Sequence, residues 1–400
     1  MNFLKMIFSP VFSGGKWYFI WMGFLLFLFF LGLYSYSNQI IDGLIITGMR
    51  DQISWGLYVG NFTFLAGIAS AAVYLVIPAY LYQFKPVKEI ALFAELLAIT
   101  ALILCVLLII IDLGKPFVFW HLIPIIGNVN FPHSVLVWHF IVIMGYLMIN
   151  IGAVFYVLYN KYKNKEYKMS VLLPIIVFSL PWAFGIHTVT AFIFNGLNAR
   201  PYWNTAVIAP KFIASALCAG SSLMIIILQV IRKFYKIKIT DEAIDKLAEL
   251  AIYAIAFHLF LFAAEIFKEY YSDTKHIATI EYLYYGLGEH KKLVFFMRLA
   301  LLLNILSFVI FLFPQFRKKL KILNIGCLFL FAGVYLEKGI GFVIPGFIPG
   351  AMGEIHEYNA TLHEYFIVAG IWALGAIIYT FLIKIIMPIY QDKVNIIKNW

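Results

Sequence analysis

The sequence predicts an all-α integral membrane protein of about ten transmembrane helices. Three observations point there. Hydrophobic residues make up 63% of the 400 positions and charged residues only 12%, whereas ordinary globular chains run near a quarter charged. The apolar residues gather in stretches of about twenty, the length a helix needs to cross a hydrocarbon core. The basic residues fall between these stretches, in short runs that favour alternate connections. A soluble fold would have to leave much of that apolar surface facing water. A membrane barrel would read as weak ten-residue alternation, which is absent.

Taken in order, the spans are predicted at 17–36, 55–82, 89–112, 133–160, 169–191, 209–233, 243–268, 291–313, 321–343 and 361–387. The first, from Trp17 to Tyr36, is long enough to cross and lacks a cleavable signal-peptide pattern. The N-terminal segment, the even-numbered connections and the C-terminal segment share one side. They hold Lys5, Lys16, Lys85, Lys88, the run Lys161 to Lys168, the run Arg232 to Lys246, the run Arg317 to Lys321, Lys384, Lys393 and Lys398. Those are 20 Lys plus Arg, against 7 on the other side: Arg50, Lys115, Arg200, Lys268, Lys275, Lys291 and Lys292. The positive-inside rule then puts both termini in the cytoplasm, an N-in/C-in arrangement. The connections left outside, 113–132, 192–208, 269–290 and 344–360, are long and rich in Trp, Pro, Gly, Asn and His. Loops of that kind carry function more often than short Lys-rich connectors do.

Spans 2–5 and 6–9 read as two copies of a four-helix unit. Asp112-Leu-Gly-Lys115 closes span 3 as Glu265-Ile-Phe-Lys268 closes span 7. His139 in span 4 corresponds to Arg298 in span 8, and Gly185-Ile186 before Phe192-Ile193 corresponds to Gly339-Ile340 before Phe347-Ile348. Copies four spans apart share one orientation, as parallel repeats do. The predicted organisation is therefore an N-terminal span and outer connection (1–54), two four-helix bundles (55–191 and 192–343), and an outer loop with the last span (344–400).

The net charge of +10 does not indicate nucleic acid, because the cations are orientation signals between spans. Cys105, Cys218 and Cys327 are isolated within apolar segments and form no CxxC spacing, so structural zinc and a cluster of the chain's own are not expected.

An ionisable side chain in lipid costs several kcal/mol, so each is a functional candidate. Asp112, His139, His187, His258, Glu265, Arg298, Glu337, Lys338, His363 and Glu364 all fall in outer halves of spans; Glu95 alone lies clearly in an inner half. That bias fits a polar pocket opening outward better than a wire or channel across the bilayer. Plainer readings exist for each residue. Asp112, Glu265 and Lys338 can snorkel to the interface, and Arg298 with Glu265 or Glu337 can be a structural ion pair. Trp55, Trp120, Tyr202 and Trp203 suit an aromatic belt, and Gly56 with Gly60 suits close helix packing. Stacked haems would need a second histidine pair near the inner face, which the sequence lacks; a single outer haem between His139 and His187 stays open.

Several loop motifs together resemble the NrfD/polysulfide-reductase membrane-subunit family, closest to its DsrP/HmeB-type quinone-interacting members. They are Trp55-Gly-Leu-Tyr-Val-Gly-Asn61, Asp112-Leu-Gly-Lys-Pro116, Asn128-Val-Asn-Phe131 with Ser134, and Ala199-Arg-Pro-Tyr-Trp203 leading into Ala209-Pro-Lys-Phe-Ile-Ala-Ser-Ala216. Glu337-Lys-Gly-Ile-Gly-Phe-Val-Ile-Pro-Gly-Phe-Ile-Pro349 follows, with Gly353-Glu354 and Glu357-Tyr358. The resemblance covers essentially the whole chain. It implies a subunit of a respiratory complex in a prokaryotic cytoplasmic membrane, without haem or iron–sulfur cluster of its own. Such a subunit binds menaquinone and exchanges electrons with an outer-side partner, a ferredoxin-like iron–sulfur subunit or a multihaem cytochrome c.

A quinone couple moves two electrons and two protons, so its pocket needs bonding partners for both oxygens, a titrating group and apolar walls. On those grounds Tyr58 or Asn61 is expected to bond one oxygen and His187 the opposite one, with Asp112 handling the proton. Lys115, Asn130, His133 and Arg200 would frame the mouth. His139, His258, Glu265, Arg298 and Glu337 form a second group, a proton path or an ion-pair scaffold. Two other functions compete. A secondary transporter would place its site near the midplane, where this chain has almost no charge. A purely structural anchor would keep the outer pocket closed and dry.

Overall fold

The computed structural model describes residues 9–390 except 78, 80–83, 124–125, 164, 236, 238, 273–276 and 351–352. Lys5, Lys236, Lys238, Lys275, Lys393 and Lys398, all counted for orientation, lie outside the described residues. Helices dominate, numbered here by span: α1 Lys16–Asp42, α2 Leu57–Ala71, α3 Lys85–Asp112, α4 Val135–Tyr162, α5 Met169–Asn195, α6 Ile208–Tyr235, α7 Asp241–Ser272, α8 Val294–Leu312, α9 Leu320–Val334 and α10 Leu362–Tyr390. The chain is a multi-pass membrane protein. Nine of the described helices are long and apolar enough to cross a membrane, α9 counting with its continuation to Phe347.

The tenth expected span is the exception. α2 has 15 residues, about 22 Å at 1.5 Å per residue, short of a hydrocarbon core of about 30 Å. Ala72 interrupts the hydrogen-bonded run while keeping helical dihedrals (φ −56°, ψ −37°), and the helix resumes at Val73–Val76 with the Ile77 N–H on the Val73 carbonyl.

α2, α3, α4 and α5 pack in a closed ring, each against the next and α5 back onto α2; α6, α7, α8 and α9 close a second ring in the same way. The rings meet where α2 and α5 lie against α6. α1 and α10 form a pair outside the first ring, with α10 also touching α2, α3 and α4. α1 turns Phe24, Phe27 and Phe30 outward, as a lipid-facing helix does. In α2 every residue but Val59 is buried, and a helix apolar all round is one enclosed by others.

Small residues make that enclosure possible. A Cβ on Gly60 would collide with the backbone of Gly339, and one on Gly220 of α6 would collide with Ala71. The Gly56/Gly60 spacing thus marks close packing. Beyond Val334, α9 widens into a π-helical turn, Tyr335–Ile340, with the Gly341 N–H reaching the Leu336 carbonyl at 2.8 Å. Such widened turns recur at functional sites.

The long connections are packed rather than loose. Trp203 is fully buried among Trp55, Phe194, Phe342 and Phe347, and its Nε1 donates to the Phe342 carbonyl at 3.0 Å. It therefore locks two long connections together instead of lying on the surface; Trp120 is 46% exposed.

Gly60→Leu is expected to cost about 1–3 kcal/mol by overpacking and to lower the thermal midpoint of the detergent-purified protein. Gly152→Leu, where an added side chain meets nothing within 4 Å, should leave the midpoint in place.

Candidate functional site

At the Asp112 end of the first ring, polar groups from four helices and one loop converge. Tyr58, fully buried, donates its hydroxyl to Gln39 Oε1 at 2.6 Å. Gln39 Nε2 donates to the Ile111 carbonyl at 2.9 Å, so one amide bridges α1, α2 and α3. Beside this bridge two buried polar atoms have no hydrogen-bond partner among the described residues: Asp112 Oδ1, one residue beyond Ile111, and the hydroxyl of Tyr36. Tyr36 lies three residues before Gln39, on the same helix face. Asp112, Tyr36 and Glu364 all act electrostatically on Tyr58. Leaving a buried polar atom unpartnered costs about 1–3 kcal/mol, and two such atoms beside one bridge make this cluster a candidate binding surface.

Glu364 closes the floor of this cluster. It forms a capping box at the start of α10, its Oε2 accepting from the Thr361 N–H at 2.9 Å while its own N–H reaches Thr361 Oγ1 at 3.4 Å. The same Oε2 accepts from the Gly48 N–H at 2.6 Å, and Oε1 accepts from the Tyr358 hydroxyl. Tyr358 in turn accepts the Leu57 N–H, at 3.0 Å, at the start of α2. Burial, and then the Glu364 carboxylate, push the Tyr358 phenol well above its ordinary range, so it remains a donor. Gly48 and Gly56 have no room for a side chain, because Asn359 and the Tyr358 ring occupy that space.

Other expected members are disposed differently. Asn61 braces helices: its Nδ2 donates to the Leu57 carbonyl at 2.8 Å, and its Oδ1 accepts from Trp372 Nε1 at 2.8 Å and the Tyr335 hydroxyl at 3.2 Å. His187 is buried in α5 and hydrogen-bonded to Ser70. Ser70 is twelve residues along α2 from Tyr58, about 18 Å at 1.5 Å per residue. Tyr58 and His187 therefore do not serve opposite oxygens of one quinone ring. His139 lies between Thr190, 3.5 Å from its Nδ1, and the edge of Phe62, inside the first ring. Lys115, Asn130 and His133 are exposed on the α3–α4 loop. Arg200 stacks over the Phe347 ring, 4.8 Å from its centroid, and donates to the Phe347 carbonyl at 3.3 Å.

A second cluster occupies the other ring. Lys211 of α6 contacts Glu265 of α7 at 2.6 Å and Glu337 at 3.8 Å. Glu337 Oε2 also meets His258 Nε2 at 3.0 Å and accepts from Asn304 Nδ2 at 3.1 Å. Arg298 stands apart, its Nε donating to the Tyr284 carbonyl at 2.9 Å. The cation between the two carboxylates is Lys211, because α6 lies between α7 and α9 while Arg298 faces outward from α8. The π turn sends consecutive residues to different places, one into the second ring and one to the seam between the rings. Glu337 joins this second cluster. Lys338, 4% exposed, stays inside instead of reaching the interface: its Nζ donates to the Phe212 carbonyl at 3.3 Å and sits 4.4 Å from the Phe212 ring centre. It lies over Gly67, where a Cβ would come within 3.1 Å of Nζ.

Sequence reasoning passed over Tyr36, Gln39 and Asn304, which are neutral, and left Lys211, Tyr358 and Glu364 without a role. The Thr361-x-x-Glu364 spacing was the one available signal for Glu364.

Residues 46–348 match the family described as polysulphide reductase, NrfD. The chain is 27% identical over 261 residues to a putative dimethyl sulfoxide reductase membrane subunit of Halobacterium salinarum, covering 61% of this chain and 59% of that protein. It is 22% identical over 284 residues to a selenate reductase subunit of Mesobacillus selenatarsenatis, covering 62% and 65%. It is 23% identical over 218 residues to the Hdr-like menaquinol oxidoreductase integral membrane subunit of Archaeoglobus fulgidus, covering 54% and 52%. The chain thus spans less than two thirds of the length of each of these curated relatives.

Lys211→Met should strand Glu265 and Glu337 without their shared cation, at a cost of about 3–5 kcal/mol, read as a fall in thermal midpoint. Adding Glu265→Gln should recover part of that loss. Purely additive effects in this double-mutant cycle would mean the three groups do not act as one unit.

Proposed function

The chain belongs to the polysulphide reductase NrfD family, and from that premise we propose that it is the quinone-binding membrane subunit of a respiratory redox complex. Its site is the cluster around Asp112, and its substrate is menaquinone or menaquinol. The observation that carries this reading is the pair of unpartnered buried atoms, Asp112 Oδ1 and the Tyr36 hydroxyl, beside the Gln39 bridge.

A quinone oxygen needs a donor, and the hydroxyl of a quinol needs an acceptor. Tyr36 can serve as either, because a phenol both donates and accepts. The Asp112 carboxylate takes a proton from the quinol on oxidation and returns one on reduction. Tyr58 and Gln39, already bonded to each other, hold the two reacting side chains in register. Gln39 carries this out from α1, the helix with the most open lipid-facing side, which suits entry of a ligand with an apolar tail. The name of the Archaeoglobus fulgidus relative, a menaquinol oxidoreductase subunit, supports the choice of quinone.

Electrons pass between the quinone and a partner protein that bears iron–sulfur clusters or c-type haem. That partner docks on the side of the long loops, outside a prokaryotic cytoplasmic membrane, with both termini of this chain inside. The Lys211–Glu265–Glu337–His258 cluster serves the second ring as an ion-pair scaffold, and its link to the first ring runs through the Glu337-Lys338 pair.

In the purified complex, Asp112→Asn is expected to lower kcat/KM for menaquinol-analogue oxidation by about a hundredfold, the low end for loss of a positioned acid–base group. Tyr36→Phe should lower it by about tenfold, in keeping with one lost hydrogen bond. Both should weaken inhibition by a quinone analogue, while His187→Ala retains it. Full turnover and full inhibitor sensitivity in Asp112→Asn would reject the site.

A further inference from the structure

A second titratable position lies at the far end of the same ring. Glu95 is on α3, seventeen residues before Asp112, about 25 Å away at 1.5 Å per residue. It is 3% exposed, and its Oε2 has no hydrogen-bond partner among the described residues. It borders a cavity with room for about one water, lined also by Val76 from the short helix after α2, Tyr146 and Asn150 from α4, and Ser179 from α5.

The lining carries no cation, and beside Glu95 its polar side chains are Tyr146, Asn150 and Ser179, all neutral. Ser179 spends its one proton on the Ile176 carbonyl at 2.7 Å, so its oxygen meets the cavity as an acceptor. Asn150 Nδ2 donates to the Tyr146 carbonyl at 2.8 Å. From α10 the nearby titratable group is Tyr379, whose hydroxyl donates to the Phe93 carbonyl at 3.2 Å. Tyr146 is the titratable group on which Glu95 acts directly. Val76 belongs to the short helix Val73–Val76, which Ile77 continues in helical geometry.

An ionised carboxylate here would face neutral groups alone in an apolar surround, at a cost of several kcal/mol. A carboxylic acid avoids that cost, and its proton can be shared with a water or with an oxygen of the lining. We propose that Glu95 is a proton-binding site, separate from the quinone pocket, which holds its proton together with one water between Tyr146, Asn150 and Ser179. Its ligand is the proton. The cavity has no space for a quinone ring, and a bare metal cation would draw on one carboxylate and few neutral oxygens.

Dicyclohexylcarbodiimide reacts with protonated carboxyls in apolar surroundings, and peptide mass spectrometry locates the adduct. In membranes containing the full chain, Glu95 should be labelled, with a yield that falls as pH rises. Labelling at that peptide should be lost in Glu95→Gln, kept in Asp112→Asn and unaffected by sodium. Protection by sodium at constant pH would make this a metal-cation site and overturn the proposal. Infrared difference spectra give a reading that needs no reagent: the carbonyl stretch of a protonated carboxyl, shifted by deuterium exchange and lost in Glu95→Gln. Absence of that band from the wild-type protein would overturn the proposal as well.

Discussion

The polar groups of the first ring and of the seam between the rings are arranged around a helix that is enclosed almost completely by others. α2 is enclosed by α3, α5, α6, α10 and the π turn of α9, and enclosure on that scale needs small residues where backbones meet. In lipid, association of helices depends on close contact rather than on expulsion of water. The Gly60–Gly339 and Ala71–Gly220 contacts therefore bind the two rings to each other more directly than any ion pair does. They also fix where side chains on α2 can reach. Tyr58 and Asn61 turn toward α1, α9 and α10. Gly67 leaves space for Lys338, and Ser70 meets His187.

The π turn gives this arrangement its asymmetry. In a regular helix, neighbours such as Glu337 and Lys338 stand about 100° apart. Here the wider turn delivers one to the second ring's charge cluster and the other to the seam between rings. Two opposite charges adjacent in sequence thus anchor two different neighbourhoods. The cost of a buried cation at the seam is offset by a carbonyl, an aromatic face and the neighbouring glutamate.

Much of the architecture was legible in the sequence because it depends on quantities that composition carries directly. Span length and the Gly56/Gly60 spacing are of that kind. The candidate site was legible only in part. Asp112 and Tyr58 stood out because a charge or a phenol at the end of a span is conspicuous, and their convergence follows from both lying at the same end of the first ring. His187 misled, since depth alone cannot say how far along a neighbouring helix a side chain lands. Gln39 carries no charge and belongs to a span that looked like a peripheral addition, yet it holds three helices together. Lys211 read as part of a loop motif, and only the position of α6 between α7 and α9 makes it the partner of Glu265 and Glu337. Trp203 had the composition of a belt residue and the environment of a core residue.

The hydrogen bond from the Leu57 N–H to the Tyr358 hydroxyl joins residues 301 positions apart. It has a consequence for biogenesis. A ribosome delivers the first ring early, and domains tend to fold as they emerge. The start of α2, however, has no cap of its own and waits for a tyrosine and a glutamate that arrive with the last helix. Until then its first turn remains unanchored and the neighbouring acid stays without its finished wall. The cluster around Asp112 is therefore completed last, after the rest of the membrane domain has been inserted.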